Sequence, residues 1–419
     1  MARFFQQPPK NVNSSDPRGY GKLLVTVSTP NKLPQLASRM QFLTQSEIRR
    51  MTRDCAEKGG INLAQGLCDM EIPEVVRRAA QRAIDEGPNT YVSHLGLPEL
   101  REILADKLVR LNAVSYDPAT ELIVTNGASG AFWAACLNLF DPGDEVVLFE
   151  PYYGYHLAHL RACGLPAKFV RLAPPTFEVT EAALLEQIGP KTRAIVVCTP
   201  GNPSGKVFTR SELEVIERVA VSHNLWVITD EIYEHFVYDG KKHISPASLP
   251  GIYPRCITIG GLSKTLSITG WRLGYCAAPS GVAERLALTS DLVYICAPSP
   301  LQAGAAAGLR ALPDEYYAAL ARHQQDKRDR FCEALLTAGL TPIVPEGAYY
   351  VLADISKLPG TTARERASAL LDQTGVAAVA GSAFYQPTGG GPGETLARFC
   401  FAKTDGVLDE ACRRLETLR

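Results

Sequence analysis

Between about residue 120 and residue 280, short runs of Val, Ile and Leu recur, separated by longer segments with helical spacing. The runs are LIVT at 122–125, EVVLF at 145–149, AIVVCT at 194–199, LWVIT at 225–229, CITIG at 256–260 and an apolar stretch at 273–278. Successive side chains of a strand point to opposite faces, so a strand apolar at every position has no face suited to water. Such strands joined by helices predict an α/β fold with a mostly parallel sheet covered on both sides. One connecting helix is expected over 129–140, stopped by Asp141-Pro142-Gly143. Another begins near 210, opened by a capping box formed by Thr209 and Glu212.

After about residue 310 the pattern changes. A long charged helix over 314–338 leads to Pro345-Glu346-Gly347, then the short strand YYVLADI, then a stretch containing GSAFY and RFCFA. This reads as a smaller α+β domain. The GGGPG segment at 389–393 reads as a loop. A chain of 419 residues has room for two or three domains of roughly 150 residues. The expected division is an N-terminal arm and the start of the small domain over 1–60, a large domain over 61–310 and a C-terminal small domain over 311–419.

Composition excludes several function classes. The hydrophobic and charged fractions, 46% and 21%, are those of a globular protein and not of a disordered chain or a coiled coil. With 43 Lys+Arg against 44 Asp+Glu, there is no electrostatic case for nucleic acid or an anionic membrane. No apolar run approaches the roughly 20 residues that span a bilayer. The 11 cysteines include no CxxC pair, and several lie within apolar runs. They read as free thiols of a reducing, cytoplasmic compartment, with no metal site. Residues 1–46 carry six basic residues and one acid, Asp16, with five prolines that break any helix. Transit peptides are acid-poor but need an amphipathic helix, so this segment reads as an arm.

In parallel sheets, ligands bind beyond the carboxyl ends of the strands. Those ends carry the chemistry here. In chain order they are Asn126-Gly127-Ala128-Ser129, Glu150-Pro151-Tyr152-Tyr153, Pro200-Gly201-Asn202, Asp230-Glu231-Ile232-Tyr233 and Gly261-Leu262-Ser263-Lys264, with Trp271-Arg272 close behind. A small-residue turn opening a helix offers free N–H groups and a positive dipole end to a phosphate. Together with a lysine, an acid, an amide, aromatic rings and an arginine, this turn fits pyridoxal phosphate. Lysine forms a Schiff base with the aldehyde. An acid keeps the pyridine nitrogen protonated, and arginine neutralises the phosphate.

The stretch GLSKTLSITGWRLG resembles the lysine signature of the class I/II aminotransferases, in the branch holding the kynurenine, glutamine and aspartate enzymes. The resemblance runs from about Ile61 to the C-terminus. It implies fold type I of the pyridoxal phosphate enzymes, with a seven-stranded large-domain sheet, a homodimer and a ping-pong transamination between an α-amino acid and a 2-oxo acid.

Carried over, Lys264 is the Schiff-base lysine and proton carrier, Asp230 the partner of the pyridine nitrogen, and Asn202 and Tyr233 the partners of the ring oxygen. Tyr153 stacks on the ring, and Ala128, Ser129, Ser263 and Arg272 hold the phosphate. Tyr91 reaches the phosphate of the neighbouring subunit. Arg398 and Gly66 hold the substrate carboxylate, with Asn202 alongside. A β-lyase, decarboxylase or oxidase of the same fold is the alternative. A ligand-sensing regulator is disfavoured, because the segment before the first motif lacks a helix-turn-helix pattern.

Two departures stand out. Gly66 is followed by Leu67-Cys68-Asp69 where the family has a proline and an aromatic, and Gly261 stands where many relatives have serine. His156 and His159 read as ordinary helix residues, and Gly66 can also be read as a turn glycine.

Overall fold

The computed structural model describes residues 35–43, 45–387 and 391–418. Most of the expected N-terminal arm, and part of the Gly-rich segment, lie outside these residues. The apolar runs form one seven-stranded sheet. Its strands are β1 (Leu122–Asn126), β2 (Glu145–Glu150), β3 (Ala167–Arg171), β4 (Thr192–Cys198), β5 (Trp226–Asp230), β6 (Cys256–Gly261) and β7 (Leu273–Ala277). The spatial order is β1-β7-β6-β5-β4-β2-β3. Neighbours from β6 to β3 are parallel. β7 runs antiparallel to both β1 and β6. The connection from β6 to β7 is too short for a parallel crossover, so the chain turns straight back. That turn carries Lys264 and Arg272.

Successive residues enter opposite cores, which is why the strands are apolar throughout. Val147, Phe149, Ile195 and Val197 join one cluster, and Val146, Leu148, Ala194 and Val196 join the other. β3 is the strand that the apolar pattern does not mark. It lies at the sheet edge, and only Val170 in it is buried. Its Lys168 and Arg171 are the charges by which an edge strand resists pairing with another chain.

The helix after β1 spans Gly127–Leu139, two residues earlier than its spacing predicts. The helix Arg210–Ser222 opens on the expected box. Thr209 Oγ1 accepts from the Glu212 N–H at 3.3 Å, and the Glu212 carboxylate accepts from the Thr209 N–H at 2.9 Å.

The C-terminal part builds a second, antiparallel sheet from β8 (Thr341–Ile343), β9 (Tyr350–Asp354), β10 (Val379–Ala380) and β11 (Leu396–Cys400), ordered β10-β11-β9-β8. The long helix Asp314–Thr337 packs Phe331 and Leu335 into a third cluster with Val351, Phe399 and Leu408. Tyr233, Phe236 and Tyr238, just after β5, belong to this cluster. Ile61–Asn62 pairs in parallel with Val376–Ala377.

All eleven cysteines are free, and seven are buried. Among the described residues, no helix is long and apolar enough to cross a membrane.

Candidate active site at the carboxyl edge of the large sheet

The carboxyl ends of β1, β4, β5 and β6 border one cavity of 370 Å³. Ten of the twelve expected site residues line it: Gly66, Ala128, Ser129, Tyr153, Asn202, Asp230, Tyr233, Lys264, Arg272 and Arg398. Ser263 is buried and hydrogen-bonds the Leu273 carbonyl at 3.4 Å instead of facing the cavity. Tyr91 is 77% exposed and does not line the cavity of its own chain.

Lys264 opens onto the cavity and donates through Nζ to the Gly66 carbonyl at 2.9 Å. Burial holds its amine down to about 8, and the nearby Arg272 and Arg398 push the same way. The neutral fraction near neutral pH is therefore far larger than that of an exposed lysine, and a nucleophilic amine needs the neutral form.

Asp230 ends β5 and is 6% exposed. Its Oδ2 meets His156 Nε2 at 3.0 Å. His156 stacks on Phe132 at 4.5 Å and meets Tyr153 edge-on at 5.2 Å. His156 and His159 are thus not ordinary helix residues. Both line the cavity, and burial pushes His159 down to about 4. The available signal was spacing: Tyr153 and His156 lie three apart at the start of one helix and share its face.

Arg272 packs against the turn that opens the Gly127–Leu139 helix. Gly127 has φ +70°, and a Cβ there would collide with the Arg272 guanidinium. A Cβ on Gly274 would lie 2.5 Å from the Gly127 carbonyl carbon. Two glycines therefore let this arginine and the helix N-terminus converge. Gly261, where many relatives carry serine, lies under Ile232, whose Cδ1 would be 2.9 Å from an added Cβ.

Arg398 rises from β11 and is 1% exposed. Its Nη1 donates to Asn202 Oδ1 at 2.9 Å, and its Nη2 to the Ala64 carbonyl at 2.6 Å. Its guanidinium lies 4.4 Å over the Tyr350 ring and 4.9 Å over Phe384. Nε has no partner among the described residues. The group is fixed in place while keeping N–H donors for an incoming carboxylate.

Tyr350, which the sequence did not single out, ties the site together. Its hydroxyl meets that of Tyr233 at 3.0 Å. Burial pushes its phenol up to about 12 and holds Tyr233 well above the usual tyrosine range, so both remain neutral hydrogen-bonding groups. Gly66 is no turn glycine: it is absent from the positive-φ positions, and a Cβ on it would run into the Tyr350 hydroxyl.

Behind Asp230, Glu231, Glu234 and His243 bring ligand atoms within 4.8 Å of one another. The Lys107 ammonium already supplies a cation there. It pairs with Glu234 and holds that carboxyl down to about 2, against the upward push of burial.

The site thus offers an amine free to condense with an aldehyde, a carboxylate beside an aromatic ring, an arginine at a helix N-terminus and a second arginine with spare donors. Residues 58–415 match the family model described as aminotransferase class I and II. An aspartate aminotransferase of Pyrococcus abyssi is 35% identical over 384 residues, 91% of this chain and 97% of that protein. A kynurenine–oxoglutarate transaminase 3 of Rattus norvegicus is 33% identical over 424 residues, covering 94% and 93%. The structure of N-succinyldiaminopimelate aminotransferase from Mycobacterium tuberculosis superposes with a TM-score of 0.88 at 35% identity, covering 92% of this chain and all of that one. The chain belongs to the class I and II aminotransferases. It is an enzyme, and its reaction is transamination.

Proposed function

We propose that the cavity holds pyridoxal 5'-phosphate on Lys264 and that the enzyme moves an amino group from an α-amino acid to a 2-oxo acid in two half-reactions. Bound there, the cofactor would supply an aldehyde for amine exchange and a ring that withdraws electrons from the substrate Cα. Ala128, Ser129 and Arg272 would take its phosphate, with Ser263 in support. Tyr153 would cover the ring, Asp230 face its nitrogen, and Asn202 and Tyr233 its phenolic oxygen.

His156 positions Asp230 through the 3.0 Å contact. Arg398, already set by Asn202 and Ala64, would hold the substrate carboxylate, with the Gly66 backbone beside it. That fixes which Cα bond faces Lys264. Nζ would then take the Cα proton and return it two atoms along, to the former aldehyde carbon, so that the amino group stays behind and the substrate leaves as an oxo acid. Its lowered pKa serves both directions, because an amine poised near neutral pH gives up a proton as readily as it takes one.

The observation that carries this reading is the Lys264 amine, held near 8 in a cavity that also holds Asp230, Arg272 and Arg398. We further propose a homodimer in which Tyr91 completes the neighbour's phosphate site. In support, Tyr91, Leu292 and Val293 are 77%, 88% and 61% exposed. Leu292 and Val293 are neighbours on one helix, and an exposed apolar pair of that kind is a surface a second copy can cover.

The test is a half-reaction. The protein loaded with pyridoxal phosphate is given twenty amino acids singly, without an oxo-acid acceptor. Stoichiometric conversion to pyridoxamine phosphate with some donors supports the reading. Catalytic release of ammonia with the starting absorbance unchanged refutes it in favour of a lyase or oxidase.

A further inference from the structure

The helices Gly127–Leu139 and Gly154–Ala162 share one core cluster of the large sheet, and their side chains meet turn by turn. Phe132 and Trp133 of the first each meet the His159 ring of the second at 5.7 Å. One turn further along each chain stand Cys136 and Cys163. Residues four apart lie on one helix face, so the register that brings the rings together also brings the two sulfurs together. Cys136 is 1% exposed. Cys163 caps the C-terminal end of its helix, is half-buried and packs against the same cluster.

The two thiols interact directly and unequally. Their contact draws the Cys163 thiol down and pushes that of Cys136 well above the usual thiol range. Burial adds to the rise at Cys136. At Cys163 burial is outweighed, and the Arg39 guanidinium also favours the thiolate. Cys198 and Cys276 show the opposite behaviour, with burial pushing both thiols up.

Two thiols sealed in a core are inert filling. This pair is different because one member reaches solvent and the other does not. A half-exposed thiol beside an arginine, with its thiolate favoured, is the member that an oxidant attacks first. A second thiol in contact with it can then resolve the product. Transamination uses neither sulfur.

We infer that Cys136 and Cys163 form a reversible oxidation site for hydroperoxides, with Cys163 as the attacking thiol and Cys136 as the resolving one. The Cys163 thiolate attacks one peroxide oxygen, the O–O bond breaks, and a sulfenic acid and hydroxide result. The Cys136 sulfur then attacks the Cys163 sulfur. The S–O bond breaks, the departing hydroxide takes the Cys136 proton, and a disulfide and water result. Two thiols are oxidised by two electrons in all, and one hydroperoxide is reduced. The bond would tie the helix that opens on Ala128 and Ser129 to the helix that carries His156. It would also spare Cys163 the irreversible sulfinic acid.

The test treats holoenzyme of wild type, Cys136→Ala and Cys163→Ser with hydrogen peroxide, alkylates the remaining thiols and digests the protein without reductant. Wild type should yield one pair of peptides joined through Cys136 and Cys163, lighter by two hydrogens than the reduced pair and separated by dithiothreitol. Cys163→Ser should leave Cys136 a free thiol. In Cys136→Ala, dimedone should trap Cys163 as its sulfenic acid, and without dimedone Cys163 should pass to a sulfinic acid that dithiothreitol does not reverse. Before any oxidation, iodoacetamide at neutral pH should modify wild-type Cys163 at least about fivefold faster than the half-buried Cys296 and Cys412.

A wild-type Cys163 that reaches sulfinic acid with no joined peptides would overturn the inference, and so would a Cys163 no faster than Cys296 and Cys412. Both results are read on wild-type protein by mass alone. They stand apart from turnover, so a failure of the transaminase reading would leave them unchanged.

Discussion

Gly66→Ala is a one-methyl change whose consequence follows from three contacts. The new Cβ occupies the space of the Tyr350 hydroxyl, with the ring carbons Cζ and Cε1 only 2.8 and 3.0 Å away. Tyr350 is 2% exposed and cannot swing into solvent. Either the ring moves, breaking the 3.0 Å bond to Tyr233 and the 4.4 Å stack under Arg398, or segment 64–67 moves, breaking the 2.9 Å bond from Lys264 to the Gly66 carbonyl. Overpacking a filled site costs about 1–3 kcal/mol. Losing one buried hydrogen bond adds about 1 kcal/mol. The expected loss of stability is about 2–4 kcal/mol, with a raised KM for amino acids because Arg398 loses its platform. Urea unfolding of the single variants and of a Gly66→Ala, Tyr350→Leu double variant measures it. The double variant should lose at least about 1 kcal/mol less than the sum of the singles, because removing the ring relieves the clash. Wild-type stability in Gly66→Ala, or strict additivity, would refute the argument.

Lys264→Ala should abolish turnover in a protein that folds normally, checked by activity alongside circular dichroism. In cofactor-free protein, the burial that lowers the Lys264 pKa to about 8 should make acylation of this amine rise with pH through about 8 rather than 10.5, readable by mass spectrometry of the modified peptide. The direction follows because only the neutral amine reacts, and burial disfavours the charged form. Arg398→Ala should raise KM for α-amino acids about tenfold or more, since charge-assisted hydrogen bonds are worth about 1.5–3 kcal/mol, while leaving the absorbance of the bound cofactor nearly unchanged. His156→Leu should cost about 1–3 kcal/mol by leaving a buried Asp230 oxygen without its partner. It should also weaken cofactor retention on dialysis, whereas an unrelated core change of equal cost should not.

The strand ends were legible because continuous apolar runs leave few alternatives to buried parallel strands, and the polar residues just beyond them had to share an edge. Asp230, Asn202 and Lys264 came from that pattern, with the lysine signature fixing the last. β3 was not legible, since an edge strand with one buried residue carries neither an apolar run nor an alternation. His156 gave only a spacing, and what it touches depends on how its helix leans over β5. Tyr350 was invisible for a stronger reason. Its role arises where segments near 66, 233, 350 and 398 meet, and no local pattern encodes that meeting. Gly66 was visible as a glycine but not as the neighbour of a tyrosine 284 positions later in the chain.

The bonds from Arg398 to Asn202 and Ala64 join residues separated by 196 and 334 positions. During synthesis, every strand of the large sheet leaves the ribosome before β11 exists. Until then Tyr233, Phe236 and Tyr238 lack the C-terminal side chains they pack against, and the nascent chain presents them as a sticky aromatic face. Closing contacts at such long range is also slow, because the loop must be ordered before the contact repays it. This enzyme should therefore depend on chaperone protection late in translation, and a ribosome stalled just short of residue 396 should hold a chain with a nearly complete sheet and no grip on a substrate.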